Sequence, residues 1–154
     1  MVSTRSTPSS WKALCRAAGL EAPEAFWSDS EANIAAIFNG CGPDDFTGLP
    51  GHVLDALVGP DRADAVGRAI LGRFLELFTP AFVIHDWEYH QSDRTEAGFH
   101  AANLRMLRNM ELLLEQAHPF RRFWEWPERV RWWIRLRLAF RAVESAAGYQ
   151  AWIT

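Results

Sequence analysis

The sequence predicts a small all-α domain of five to six helices, with a long Gly/Pro-rich loop ahead of a central antiparallel helix pair. Two observations carry that expectation. Apolar residues recur three and four apart, as in Val66, Ile70, Phe74, Leu77 and Phe78, and again in Phe99, Ala102, Met106, Met110, Leu113 and Leu114. Capping residues and helix breakers punctuate these runs, and no stretch keeps a convincing strand alternation.

The elements follow in order. Residues 1–9 are rich in Ser, Thr and Pro and read as a flexible tail of the single domain spanning 1–154. Ser9 or Ser10 can cap a first helix over 11–18, with Gly19 in the position that ends one. A second helix starts near Ser28 or Ser30, carries Ile34, Ile37 and Phe38, and stops at Asn39-Gly40. From Asn39 to Pro60, glycines stand at 40, 42, 48, 51 and 59 and prolines at 43, 50 and 60, which is turn and loop chemistry. A loop of that length inside a small domain is uncommon unless it has a task. Asp61 can cap a helix over 63–78. Thr79-Pro80 then reads as an N-cap followed by proline in a first turn, opening a separate helix over 81–90. Asp93 or Thr95 caps the next helix, over 96–117, and Pro119 lies beyond its end. The last helix runs from about Glu128 to Ala147 and is ended by Gly148. Arg135-Leu136-Arg137-Leu138 alternates briefly, but Val130, Trp133, Ile134 and Leu138 keep the helical period.

Composition narrows the function classes. The hydrophobic fraction of 49% and charged fraction of 23% match globular averages, which argues against wholesale disorder. A net charge of −3 offers no bulk attraction to nucleic acid or to anionic membranes, and no nucleic-acid partner is expected. Cys15 and Cys41 are too few for a disulfide framework and have no zinc-ligand spacing. Without a signal-peptide core or an apolar run of about 18 residues, the expected location is cytoplasmic.

The chemistry-bearing stretch is Ile84-His85-Asp86-Trp87-Glu88-Tyr89. On a helix, His85 and Tyr89 share a face, and Asp86 sits about 100° further round. A histidine at the mouth of a cleft can serve as a general base near neutral pH. A neighbouring carboxylate can hold a hard cation such as calcium, and a tyrosine hydroxyl can orient either partner. The Asn39-Gly40-Cys41-Gly42-Pro43 turn can supply backbone carbonyls to complete such a cation site. Cys41, between two glycines and with no base adjacent in sequence, reads as a turn residue rather than a nucleophile.

A glycine turn, a helix bearing His-Asp-x-x-Tyr and an antiparallel helix after it resemble the phospholipase A2 superfamily, nearest its disulfide-poor prokaryotic and phage-encoded members. The resemblance covers roughly residues 39–110. It implies calcium-dependent hydrolysis of lipid ester bonds at a phospholipid surface. His85 would activate water, Asp86 and the carbonyls of Gly40 and Gly42 would bind calcium, and Tyr89 would support the network. Where the resemblance expects an aspartate that orients the histidine, the register places Gly98, with Asp93 and Glu96 as the nearest substitutes. The alternative is a non-catalytic helical interaction protein, phage-derived, that keeps the scaffold without the activity.

Two further groupings compete for attention. Asp86/His90 and Glu96/His100 are both i,i+4 pairs; their simplest reading is solvated surface pairs rather than a transition-metal site. Trp124, Trp126, Trp132 and Trp133 stand among Arg121, Arg122, Arg129 and Arg131. The simplest reading buries these tryptophans in the core; if exposed, they would make a docking face for a membrane or a protein partner.

Overall fold

A computed structural model describes residues 10–38 and 65–154. The predicted 39–60 loop, with Gly40, Cys41 and Gly42, and the Asp61 cap lie outside those residues. The described elements are α1 (Trp11–Ala17), α2 (Glu24–Ser28), α3 (Glu31–Ile37), α4 (Ala65–His90), α5 (Glu96–Ala117), a 3-10 turn (Phe123–Glu125), α6 (Trp126–Val143) and α7 (Ala146–Ile153). The all-α class stands, and no strand occurs among the described residues.

α4 and α5 form the central antiparallel pair: His85 meets Asn103 while Tyr89, one turn on, meets Phe99. Their shared face carries the core, with Phe74, Phe78, Ile84 and Trp87 from α4 and Met106, Met110 and Leu114 from α5. α1 and α3 cover α4, contributing Trp11, Cys15 and Ile34; α6 packs chiefly on α5 and brings Trp132 and Leu136 into the same core. A smaller apolar cluster of Phe99, Ala102 and Trp152, flanked by Tyr89, sits at the far end of the pair beneath α7.

The caps explain several boundaries. Ser10 accepts from the Ala13 amide, Ser30 from Asn33 and Thr95 from Gly98, each satisfying a free amide in the first turn. Gly19 ends α1 at φ +68°, a left-handed conformation that costs glycine little. The Cys15 thiol is buried against the Pro80 carbonyl, and burial pushes its pKa up to about 12.

Three expectations need correction. Thr79-Pro80 does not start a helix: α4 runs through Pro80 without a break. Proline inside a helix removes one hydrogen bond and costs about 3 kcal/mol. Here Phe74, Phe78, Ala81 and Ile84 keep helical spacing across it, and all are buried, so one continuous helix places all of them in the core. Second, α2 lies where no helix was expected; its Phe26 is fully buried and packs edge-on against Trp87 at 5.7 Å. Third, the last helix is two. α6 stops at Val143, Ser145 caps α7, and Gly148 lies inside α7 rather than ending a helix.

Candidate functional site

His85 and Tyr89 stack one turn apart on α4, ring centroids 4.3 Å apart, facing α5. Between them and α5 stands Asn103, which is fully buried on the same stripe as Phe99, Ala102 and Met106. Its Oδ1 lies 2.9 Å from His85 Nε2 and accepts the Tyr89 hydroxyl proton at 3.0 Å. Its Nδ2 donates to Glu144 Oε1 at 2.9 Å. Glu144, at the C-terminus of α6, reaches His100 Nδ1 at 3.2 Å through its other oxygen. A polar chain therefore runs from the buried His85 through Asn103 and Glu144 to the exposed His100.

The chain determines which nitrogen of His85 carries the proton. An ionised carboxylate only accepts, so the Asn103 atom that faces Glu144 is the amide nitrogen. Oδ1 then faces His85 and Tyr89, and it too only accepts. Nε2 must hold a hydrogen, and neutral His85 keeps its lone pair on Nδ1. That nitrogen lies 3.7 Å from Asp86 Oδ1, on the more open side: the Asp86 side chain is 37% exposed against 7% for His85. An orienting acceptor behind one imidazole nitrogen and a free lone pair on the other is the arrangement a general base requires.

The residue that orients His85 was missed in the sequence. Gly98 holds no such role, and Asp93 is occupied in capping Thr95, accepting from its amide at 2.9 Å and its hydroxyl at 2.8 Å. A side chain at 98 would meet the Asp93 carboxylate, which would have to shift to admit it. Glu96 lies 3.7 Å from His100, so this i,i+4 pair is the surface contact that the sequence suggested. The available signal was polarity out of place: Asn103 interrupts the apolar stripe of α5, and buried amides are retained where partners await them.

Glu88, the next polar residue on α4, pairs with Arg105 of α5. Burial nonetheless raises its pKa, with Arg105 opposing the shift. Burial likewise raises the Tyr89 phenol to about 12, against the lowering effect of its bond to Asn103. A phenol that ionises near 10 when unfolded and near 12 when folded stabilises the fold fully below pH 10, and the contribution is lost as pH rises through 12. Phenolate absorbance followed from pH 9 to 13, with Tyr89→Phe as reference, should show the Tyr89 step at the high end, accompanied by unfolding.

Calcium needs about six to eight oxygen ligands. Asp86 offers a hard oxygen donor beside His85, and among the described residues its carboxylate has no partner closer than His85. No group of three or more His, Cys, Asp or Glu side chains is placed to hold a metal ion among the described residues. Asp86 thus suits calcium in ligand type, and the carbonyls proposed to complete the shell belong to Gly40 and Gly42, outside the described residues. No described helix is long and apolar enough to cross a membrane. No family model, curated protein or solved structure matches the chain.

Proposed function

We propose that the chain hydrolyses lipid ester bonds in the manner of a phospholipase A2, with His85 as the base. The observation that supports it is the double engagement of Asn103 Oδ1 by His85 Nε2 and Tyr89, which leaves Nδ1 as the free nitrogen beside Asp86. His85 Nδ1 takes a proton from water as the water oxygen attacks the ester carbonyl, then returns that proton to the departing alkoxide. The transient imidazolium is held by Asn103 Oδ1 on one nitrogen and faces the Asp86 carboxylate on the other. Tyr89, donating to Asn103, keeps that amide in register. Calcium, when bound by Asp86 and the loop carbonyls, supplies positive charge for the developing oxyanion.

Calorimetric titration with calcium tests the first half, with Asp86→Ala expected to abolish binding seen in the wild type. Phospholipid hydrolysis tests the second, with His85→Ala expected to lower the rate by about a thousandfold or more. A second reading has its own support: the group that faces His85 Nε2 is a neutral amide rather than a carboxylate, and His85 is only 6% exposed. On that reading the network holds α4, α5 and α6 together in a non-catalytic interaction protein. Absence of calcium binding at millimolar concentration, with no hydrolysis, would select it.

A further inference from the structure

The Arg/Trp tract does not fill the core. Trp132 is buried, but Trp124 is 66% exposed, and Trp126 and Trp133 are about half exposed. Phe120 and Ile134 are also exposed, and Phe123 is the most open at 76%. These residues occupy the chain reversal between α5 and α6, the intervening 3-10 turn and the first turns of α6. A contiguous apolar surface of this kind on a soluble domain marks an interaction site.

We propose that this corner docks the protein on an anionic lipid surface. Charge favours this occupant. From Arg121 to Arg137 the chain carries six arginines against two glutamates; Glu115 and Glu111 of α5 pair with Arg129 and Arg137, which leaves a local excess of +2 in a protein whose net charge is −3. Several of these arginines pair only loosely: Arg122 lies 3.3 Å from Glu125, and Arg131 lies 3.6 Å from Glu128, all on the surface. Exposed pairs of this kind are weak and exchange readily for phosphate, which the guanidinium fork fits well.

The orientation of the rings favours it too. Phe123 and Trp124 are consecutive on the 3-10 turn, with ring planes 77° apart. A rigid partner would need a face matched to both orientations, whereas a fluid headgroup layer accepts any. Indole and phenyl rings beside arginine are the side chains that settle at the boundary between headgroups and acyl chains. A cleft of about 250 Å³ lined by Phe120, Trp126, Arg129, Val130 and Trp133 opens within the same patch and offers apolar walls to an acyl segment. Docking here does not depend on chemistry at His85.

The test uses vesicles of ether-linked phosphatidylglycerol and phosphatidylcholine, which contain no ester bond, in buffer with calcium chelated. Co-sedimentation of the full chain is expected with mixed vesicles and not with phosphatidylcholine alone, weakening as salt rises. Phe123→Ser/Trp124→Ser should reduce affinity about tenfold or more. Arg121→Ser and Arg122→Ser should each reduce it about fivefold. All these side chains are exposed, so the melting temperature should not move. The proposal is overturned if the Phe123/Trp124 variant binds like wild type, or if both vesicle types bind alike or not at all. It is also overturned if the wild type is a dimer that the same variant converts to monomer, since the patch would then cover itself. Any of these results leaves the hydrolase reading to its own assay.

Discussion

Asn103→Ala is expected to be as damaging as truncating a large core side chain. The side chain is fully buried and serves three partners: the His85 ring, the Tyr89 hydroxyl and the Glu144 carboxylate. Truncation leaves each of them without its counterpart, and a buried polar group left unpaired costs about 1–3 kcal/mol. Some relief comes from rotation of Glu144, which is only partly buried, so the expected loss is about 4 kcal/mol rather than the full total. In a chain of this size that lowers the melting temperature by roughly 8–16 °C. If the network also serves catalysis, the surviving folded fraction should lose most hydrolytic activity, because nothing then holds the proton on His85 Nε2.

Asn103→Asp separates geometry from charge. It can still accept from His85 and Tyr89, but its second oxygen replaces the Asn103 amide nitrogen that donates to Glu144 Oε1 at 2.9 Å. Two carboxylates that close must share a proton, which raises the pKa of the pair above the ordinary carboxylate value. The variant should therefore be nearest to wild type in acid and lose stability as pH rises through that raised value. Equal stability of Asn103→Asp and wild type across pH 4–8 would contradict the network as drawn.

Much of the fold was legible because local signals agreed with the final packing. Ser10, Ser30 and Thr95 stand where caps were expected, and the α5 stripe from Phe99 to Leu114 faces the core as its spacing requires. Pro80 was misread because a local rule outweighed a longer-range one: the apolar spacing continued through it, and burial of that stripe decided the outcome. The α6–α7 break was hidden because apolar residues continue through Val143 and Ala147, while the break itself rests on the Ser145 cap. At the site, the contact between His85 and Tyr89 was readable from i,i+4 spacing on one helix. Their partners were not. Asn103 and Glu144 come from two other helices, and the pairing depends on how α5 and α6 rotate about their axes, which the spacing within any one helix does not encode. The tryptophan tract failed for a related reason: composition gives hydrophobicity, but the turn at Phe123–Glu125 decides which rings lie outside.

Gly148→Ala and Gly72→Ala should shift stability in opposite directions. Both glycines lie within helices, where alanine is favoured by about 1 kcal/mol on propensity alone. At Gly72, in α4, an added methyl meets nothing within 4 Å, so Gly72→Ala should stabilise by about 0.5–1 kcal/mol. At Gly148 the methyl would overlap the Val143 carbonyl oxygen and lie 2.8 Å from its carbon. Those atoms are backbone at the α6–α7 reversal and cannot step aside as a flexible side chain would. Relief requires α7 to swing away, and α7 is anchored by Trp152, whose indole donates to the Thr95 carbonyl at 2.9 Å and packs against Tyr89 with ring centroids 5.0 Å apart. The net expectation for Gly148→Ala is a loss of about 2 kcal/mol, after the propensity gain is set against an overpacking cost. The loss should be local in origin: once Trp152 withdraws, Tyr89 gains solvent and its ionisation should fall from about 12 toward 10. A Gly148→Ala protein that melts at or above the wild-type temperature, with its tyrosine titration unchanged, would mean that α7 does not pack at this reversal as described. The covering of Tyr89 by Trp152, and with it the enclosed setting of the His85 network, would then have to be drawn again.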